Sequence, residues 1–269
     1  LGTGINADAD WANGSMNLND DWSITAGSMK MASSRESMIG DQNQLTLDRG
    51  LLTATGQNSV IGQGVQLAYA GDDLRFMGQL FNNIGTPVAL GLPAGNNSAY
   101  TMNLRGEFMV EGSGWSQFDT FTSADGGASG TLIGLSYVDN SDGDNTINTT
   151  GGVSQWLIDA QMQFGGSNLY VSYADFSNSN LVGAANTDSD TTTIMYGMYL
   201  DTDWEVYGRW IDSDGSAAGP LNGSIMSIGL NNYMAGQNAK WTTEITWNDS
   251  GVAANTDITT ISTQLQFYF

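Results

Sequence analysis

The chain contains no cysteine and no histidine. The first absence excludes a disulfide framework, a thiolate metal site and a cysteine nucleophile. The second removes the commonest general base and with it the Ser-His-Asp triad. Positive charge is scarce too: 7 Lys and Arg stand against 28 Asp and Glu, a net charge of −21. Nucleic acid is thereby excluded as a natural partner, since phosphate contacts need Lys and Arg. No stretch approaches the roughly 18 consecutive apolar residues of a membrane-spanning helix, and mean hydropathy is slightly negative at −0.21. A membrane barrel escapes that scan, because every second residue of its strands faces water. The sequence opens at Leu1 with neither an initiator Met nor a charged-then-apolar leader. We read this as a processed protein or a fragment whose start is missing.

What is present is period-2 alternation. With 35 Gly and only 3 Pro, the chain reads as strands joined by turns and polar loops. The final stretch, Ile258 to Phe269, shows the pattern plainly. Thr259, Ile261, Thr263, Leu265, Phe267 and Phe269 share one face; Ser262, Gln264, Gln266 and Tyr268 share the other. A strand this long and aromatic at a free terminus would invite edge pairing in a soluble protein, and a closed barrel removes the hazard. Its aromatic end, Leu265, Phe267, Tyr268 and Phe269, resembles the C-terminal signature of bacterial outer-membrane barrels.

The alternation recurs along the chain. It predicts strands of about 9 to 12 residues, the length that crosses a bilayer at barrel tilt. Short turns fall at Asn19 to Asp21, Gly71-Asp72, Gly165-Gly166, Asp201-Thr202 and Tyr233 to Gln237. Long polar connections fall at Asp139 to Gly152, Ser177 to Asp190, Asp212 to Asn222 and Asn248 to Asp257. Read backwards from a downward last strand, the short turns face the periplasm and the long ones the outside. That order survives if Glu111 to Gly130 is one inner connection, so Trp115 to Thr122 reads as a long turn or a lumen-packed segment. Strand after strand ends its apolar row in an aromatic, among them Trp22, Tyr69, Tyr100, Phe108, Tyr137, Trp156, Phe164, Tyr173, Trp204, Trp210, Trp241, Trp247 and Phe269. Aromatics at strand ends describe two interfacial girdles, whereas a soluble sandwich would bury them centrally.

The fold class expected is therefore all-β: a transmembrane antiparallel up-and-down β-barrel occupying residues 1–269 as a single domain. About 13 strands are visible, and because single-chain bacterial barrels close with even numbers we expect about 16, or alternatively about 14, with N-terminal strands absent from this chain. Residues 32–62 lack clean periodicity. They form a long loop that either lies over the rim or, the favoured reading, folds into the lumen and narrows it.

Within Trp22 to Gly62 the chain resembles the phosphate-selective porin (O/P type) family. The residues that carry the resemblance are Gly27, Lys30, Ser34-Arg35-Glu36, Asp48-Arg49 and the Gly62-led strand, and the mid-strand glycines Gly134, Gly208 and Gly229 share the family's rhythm. The resemblance implies a trimeric porin of about 16 strands whose lumen loop constricts the channel. The departure is in charge: a phosphate filter needs a ladder of bases, and seven cannot build one.

The candidate pore-lining and constriction residues are Arg35, Glu36, Asp41, Asp48 and Arg49 on the loop, with Arg75, Arg105, Glu107, Asp159, Glu205, Arg209, Lys240 and Glu244 on the strands. Their signs balance, which predicts a transverse field and, with acidic loops outside, a weak cation preference. The expected function is passive diffusion of small hydrophilic solutes and ions through a Gram-negative outer-membrane porin. Alternatives are a substrate-selective (anion or sugar) porin and a non-conducting structural barrel. The partners implied are the lipid bilayer and lipopolysaccharide, solutes in transit, and two further copies of the chain. No cofactor is expected. Asp139, Asp142, Asp144, Asp212 and Asp214 are candidate Ca²⁺ ligands in Asp-dense runs, although solvated acidic loops explain those runs better. An enzyme is not expected, because without His or Cys only paired carboxylates could serve.

Overall fold

The structure is a computed structural model describing residues 12–49, 61–82, 100–140, 153–178, 187–215, 223–249 and 258–268. Among these residues thirteen strands follow one another in a single sheet whose spatial order is the sequence order. They are β1 (Asn13–Asn17), β2 (Trp22–Lys30), β3 (Ile61–Ala70), β4 (Leu74–Asn82), β5 (Thr101–Glu111), β6 (Ser129–Asn140), β7 (Val153–Phe164), β8 (Ser167–Asn178), β9 (Thr187–Tyr199), β10 (Trp204–Gly215), β11 (Gly223–Gln237), β12 (Ala239–Asp249) and β13 (Ile258–Phe267). Each pairs antiparallel with its sequence neighbour, from Trp22 opposite Tyr69 to Trp241 opposite Leu265. This is the up-and-down meander that two-residue turns and period-2 strands dictate. Among the described residues β1 and β13 do not pair, so the sheet is open at those two edges.

Burial runs opposite to that of a water-soluble protein. Along β5 Asn103, Arg105 and Glu107 are buried to within 1% of full exclusion, while Leu104, Phe108 and Val110 between them are exposed. The same inversion marks β7, where Gln155, Asp159 and Gln161 are buried and Trp156, Ile158 and Phe164 are exposed. A water-soluble monomer rarely leaves more than a few hundred Å² of contiguous apolar surface bare. Here the exposed apolar residues run continuously from β3 to β13. Such a face is stable where its solvent is hydrocarbon, and strands satisfy their backbone groups there only by pairing with one another. Polar atoms on this face pair locally: Trp241 Nε1 donates to Thr263 Oγ1 at 2.8 Å, and the Thr243 and Thr263 hydroxyls lie 3.1 Å apart.

The aromatic side chains sort to the two ends of the strands. Trp22 and Tyr69 (centroids 5.3 Å apart) and Trp204 and Trp241 (6.2 Å) lie at the end carrying the short turns. Tyr137 and Trp156 (4.5 Å) lie at the end of the long connections. Phe269 lies outside the described residues.

Two segments leave the sheet and pack on its polar face. The first, Ala32 to Arg49, is called the strap below. It carries the one-turn helix α1 (Arg35–Met38) and a 3-10 turn at Asp41–Asn43. The sequence Ser34-Arg35-Glu36-Ser37 makes α1 possible: Ser37 N donates to Ser34 Oγ, and Ser34 N donates to Ser37 Oγ, both at 2.9 Å. Ser37 thus takes the place usually held by Glu or Gln in a reciprocal cap. The second segment is the Trp115–Asp119 3-10 turn and the residues after it, lying between β5 and β6 as the alternation of long and short connections requires. Phe118 packs with Met109 and Leu132, and Phe121 meets Tyr170 edge-on at 5.0 Å.

Three boundaries differ from the sequence expectation. The short turn read at Tyr233 to Gln237 lies slightly later: β11 stays extended through Gln237, Tyr233 is the last residue to pair, with Lys240, and the reversal closes where Asn238 N–H donates to Ala235 O at 3.2 Å around Gly236 (φ 57°). Two Asp-dense runs assigned to loops, Asp188 to Asp190 and Asp212 to Gly215, are strand, pairing with each other across β9 and β10. Polar composition hid them, because a strand end beyond the membrane needs no apolar side chains.

Candidate functional site

The strap is held by its backbone as much as by its charges, and it touches the sheet in two places. At one end it meets β4 to β7. Ala32 N donates to Gln79 Oε1 at 2.8 Å, Ser136 Oγ donates to Ser33 O at 2.6 Å, and Arg35 N donates to Asp159 Oδ2 at 2.7 Å. At the other end it meets β10 to β12. Arg209 Nη1 donates to Asp48 O at 2.5 Å and to Thr46 Oγ1 at 3.2 Å, and Asn231 Nδ2 donates to Leu45 O at 2.9 Å. Lys240 Nζ donates to Gln44 O at 2.7 Å and to Gln42 O at 3.2 Å. Between the ends Ile39 and Leu45 of the strap pack with Phe121, Tyr170, Met195 and Tyr207 in a dry apolar cluster.

The first anchorage is a charge cluster. Arg35, Arg105, Glu107 and Asp159 are all buried, at 2% exposure or less. Arg105 Nη2 bonds Glu107 Oε1 at 2.8 Å and Asp159 Oδ1 at 2.7 Å. Arg35 Nη1 reaches Glu107 Oε1 at 3.4 Å, and its Nη2 donates to Phe118 O. Arg75 pairs through Nε with Glu107 Oε2 at 2.5 Å and lies 4.6 Å above the Trp115 ring. Three guanidiniums thus share two carboxylates, with the strap and the Trp115–Thr122 segment both tied in. Buried charges are tolerated only when paired and hydrogen-bonded to this extent.

Two smaller networks complete the site. Arg209 Nη2 lies 3.5 Å from Glu244 Oε1, whose other oxygen accepts from Tyr207 Oη at 2.8 Å. Glu205 accepts from Tyr233 Oη at 2.5 Å and Asn168 Nδ2 at 3.0 Å. At the strap's exposed flank Asp41 pairs with Arg49 and, at 3.6 Å, with Lys30. Partial burial alone would raise the Asp41 carboxyl, but the Arg49 guanidinium and Lys30 ammonium outweigh it and hold the group below the ordinary carboxylate value.

Of the residues singled out from sequence, the structure brings Arg35, Arg75, Arg105, Glu107 and Asp159 into one cluster and Arg209 with Glu244 into another. Arg49 holds the strap on itself, donating to Glu36 O at 3.1 Å and Ile39 O at 2.9 Å. Glu36 is buried, while the Asp48 side chain is exposed and only its carbonyl anchors. Of the wall charges expected to set up a transverse field, Arg75, Arg105, Glu107, Asp159, Arg209 and Glu244 lie within bonding distance of opposite charges, whereas Glu205 and Lys240 bond to uncharged groups. Sequence reasoning missed Tyr207, Tyr233, Asn168, Asn231 and Gln79 as anchors. Large tyrosines at polar-face parity, where small residues would suit water, were the available signal. It also missed why Gly134 and Gly229 are glycine. A Cβ on Gly134 would stand 2.2 Å from Arg105 Nη2, and one on Gly229 would stand 2.1 Å from Tyr207 Cζ.

For the acidic runs, Asp175, Asp190 and Asp214 lie in cross-strand register on the apolar face, beyond its aromatic ends. Among the described residues no three carboxylates converge as a metal site requires. Asp142 and Asp144 lie outside the described residues.

No family model and no curated protein matches this sequence. Solved structures do. Pseudomonas putida OprB is similar with TM-score 0.64 at 11% identity, over 93% of this chain and 70% of its own. The loop L8 deletion mutant of Vibrio cholerae OmpT, an outer membrane protein, gives 0.62 at 11% identity, over 93% and 76%. A porin gives 0.57 at 14% identity, over 90% and 76%. At these identities the likeness is one of fold, and the fold is that of integral outer-membrane β-barrels.

Proposed function

We propose that this chain is the wall and internal strap of an outer-membrane porin, a water-filled channel for passive diffusion of small hydrophilic solutes. The observation that carries it is the inverted wall: apolar side chains outward with aromatics at both ends, polar ones inward, on strands long enough to cross a bilayer. The residues lining or narrowing the conduit are those of the strap and its anchors. The lumen placement of the loop over residues 32–62, of which 50–60 lie outside the described residues, is supported by the burial of Ala32 to Ser37 against the polar wall.

On this reading the barrel closes with about 16 strands, or about 14, because among the described residues β1 and β13 each keep an unpaired edge that a lipid environment does not tolerate. The assembly is a homotrimer by analogy with porin-like neighbours, one of which is a trimer form of Vibrio cholerae OmpT. Its outer leaflet partner is lipopolysaccharide. Anion selectivity of the phosphate type is disfavoured by the fate of the bases, since the strand and strap bases described above are tied to carboxylates or strap carbonyls. Weak cation preference survives on a different footing: uncompensated carboxylates at the long-connection rim, among them Asp175, Asp190, Asp212 and Asp214, draw cations to the mouth.

Purified protein in a planar bilayer should give stepwise conductance with reversal potentials displaced toward the cation. Screening beyond a Debye length of about 3 Å at 1 M salt should abolish the displacement. The dry packing of Ile39 and Leu45 on the wall favours one rival, a plugged non-conducting barrel. Silent bilayers containing correctly folded protein would decide for it.

A further inference from the structure

The two segments that pack on the polar face arrive from opposite rims and meet each other there. The strap leaves β2 at Lys30, the far end of that strand from the Trp22–Tyr69 pair. The segment Trp115 to Ser123 leaves β5 at the other rim, where Trp115 Nε1 donates to Gly71 O in the β3–β4 turn at 2.8 Å. Where they meet, Phe121 N donates to Asn43 O at 3.2 Å, and Asn43 Nδ2 donates back to Asp119 O at 3.0 Å. Arg35 Nη2 donates to Phe118 O and lies 3.9 Å from Asp119 Oδ1. The Phe121 ring is fully buried in the cluster that Ile39 and Leu45 of the strap also enter.

The inserted segment is in turn fastened to the wall, by amides rather than charges. Gln163 Nε2 reaches the carbonyls of Gln117, Thr120 and Thr122 at 3.1, 3.2 and 3.3 Å, and Gln161 Nε2 donates to Thr120 O at 2.6 Å. Gly165 N donates to Ser123 Oγ at 3.1 Å, and Gln237 Nε2 donates to Thr122 Oγ1 at 3.0 Å. Gln237 ends β11, five strands on from β6. At about 4.8 Å per strand that is about 24 Å around the wall. The segment thus crosses the polar face as a second bar, on the inner-rim side of the strap.

Resting on the porin reading above, we infer that this second bar is the latch of the constriction: it holds the strap from the periplasmic side, and Asn43, Gln161 and Gln163 are positioning residues for the narrowed channel. Arg35, Arg209 and Lys240 tie the strap to the wall toward its two ends. A loop held at its ends still opens locally at small cost, and the bonds at Asn43 restrain its middle. One net hydrogen bond shifts a docked-to-undocked ratio roughly 2- to 10-fold, so the amide contacts rank beside the buried charges in keeping the strap down.

The absence of native cysteine gives a direct test. Asn43→Cys/Thr120→Cys is treated with a short bifunctional methanethiosulfonate, then read by gel mobility of the folded protein and by planar-bilayer recording. The pair should cross-link. Adding Gln163→Ala, whose side chain bonds to the inserted segment rather than to the strap, should slow the cross-linking several-fold. Glu107→Gln frees three guanidiniums from their shared carboxylate and should let the strap make excursions to a larger conductance; closing the cross-link in that background should suppress them, and reductant should restore them. Gln163→Ala alone should raise the excursion frequency roughly 2- to 10-fold. Thr191→Ala, which breaks a hydroxyl pair with Ser213 at 2.7 Å on the wall, should leave it unchanged. Folded protein that does not cross-link, or a cross-linked Glu107→Gln protein that still flickers, overturns the latch. So does a Gln163→Ala protein that cross-links and records like wild type. A wild-type protein that never conducts defeats the porin reading instead, and the cross-linking rates still decide whether the segments are clasped.

Discussion

Glu107 is the keystone of the first anchorage, and removing its charge is the sharpest test of how the strap is held. Its carboxylate touches Arg35, Arg75 and Arg105 while fully excluded from solvent. In Glu107→Gln three guanidiniums face the single buried carboxylate of Asp159, and the amide returns at most one of the lost bonds. Breaking a buried ion pair by removing one partner costs roughly 3–5 kcal/mol, or roughly 10²- to 10³-fold in the docked-to-undocked ratio. The strap should absorb this cost before the wall does, because the wall keeps its backbone ladder. Single-channel recordings of Glu107→Gln should therefore show frequent excursions to a larger conductance, while heat-modifiable gel migration still reports a folded barrel. The charge-matched double variant Glu107→Gln/Arg35→Gln removes one excess cation and should recover much of the quiet state. The electrostatic account fails if Glu107→Gln records like wild type, or if the double variant is noisier than the single one.

Further expectations follow from the same contacts. Gly134→Ala places a methyl between Arg105 and Asp159, so it should loosen the strap nearly as much as Glu107→Gln, measured by the same excursions, although no charge has changed. Gly229→Ala should displace Tyr207 from Glu244 and lower the thermal unfolding temperature by a few degrees, on the order of 1–3 kcal/mol for an overpacked site. Asp41 titrates below its ordinary value of 3.8; a carboxyl depressed in the docked state stabilises docking above that value and loses the contribution as pH falls through its own lower pKa. Asp41→Asn should thus differ from wild type in excursion frequency at pH 7, and the two should converge at strongly acidic pH; a constant difference would refute the link. Finally, Trp156 and Trp241, on opposite ends of the strands, should both be quenched by lipids brominated near the headgroup more than by lipids brominated at the chain ends. The reverse order would place them in the bilayer centre and break the girdle assignment.

Much of this fold is legible from local pattern alone. Alternation in Leu104-Arg105-Gly106-Glu107-Phe108 states which side chains share a face, and the paired turns state which strands are neighbours, because both depend only on residues close in sequence. The aromatic ends and the inserted Trp115 to Thr122 segment were readable for the same reason. The strand ends at Asp188 to Asp190 and Asp212 to Gly215 were not, since polar residues outside the membrane carry no periodic signal. Nor could pattern say which charged residues meet. Arg35 finds Glu107, Asp159 and the Phe118 carbonyl only because the strap folds back over the wall, and Gly134 is small for the sake of Arg105, on a different strand. Sequence periodicity records the solvent each face prefers, a property of residues taken singly. What the charges do depends on distances between segments far apart in the chain, and only the folded sheet brings those segments together.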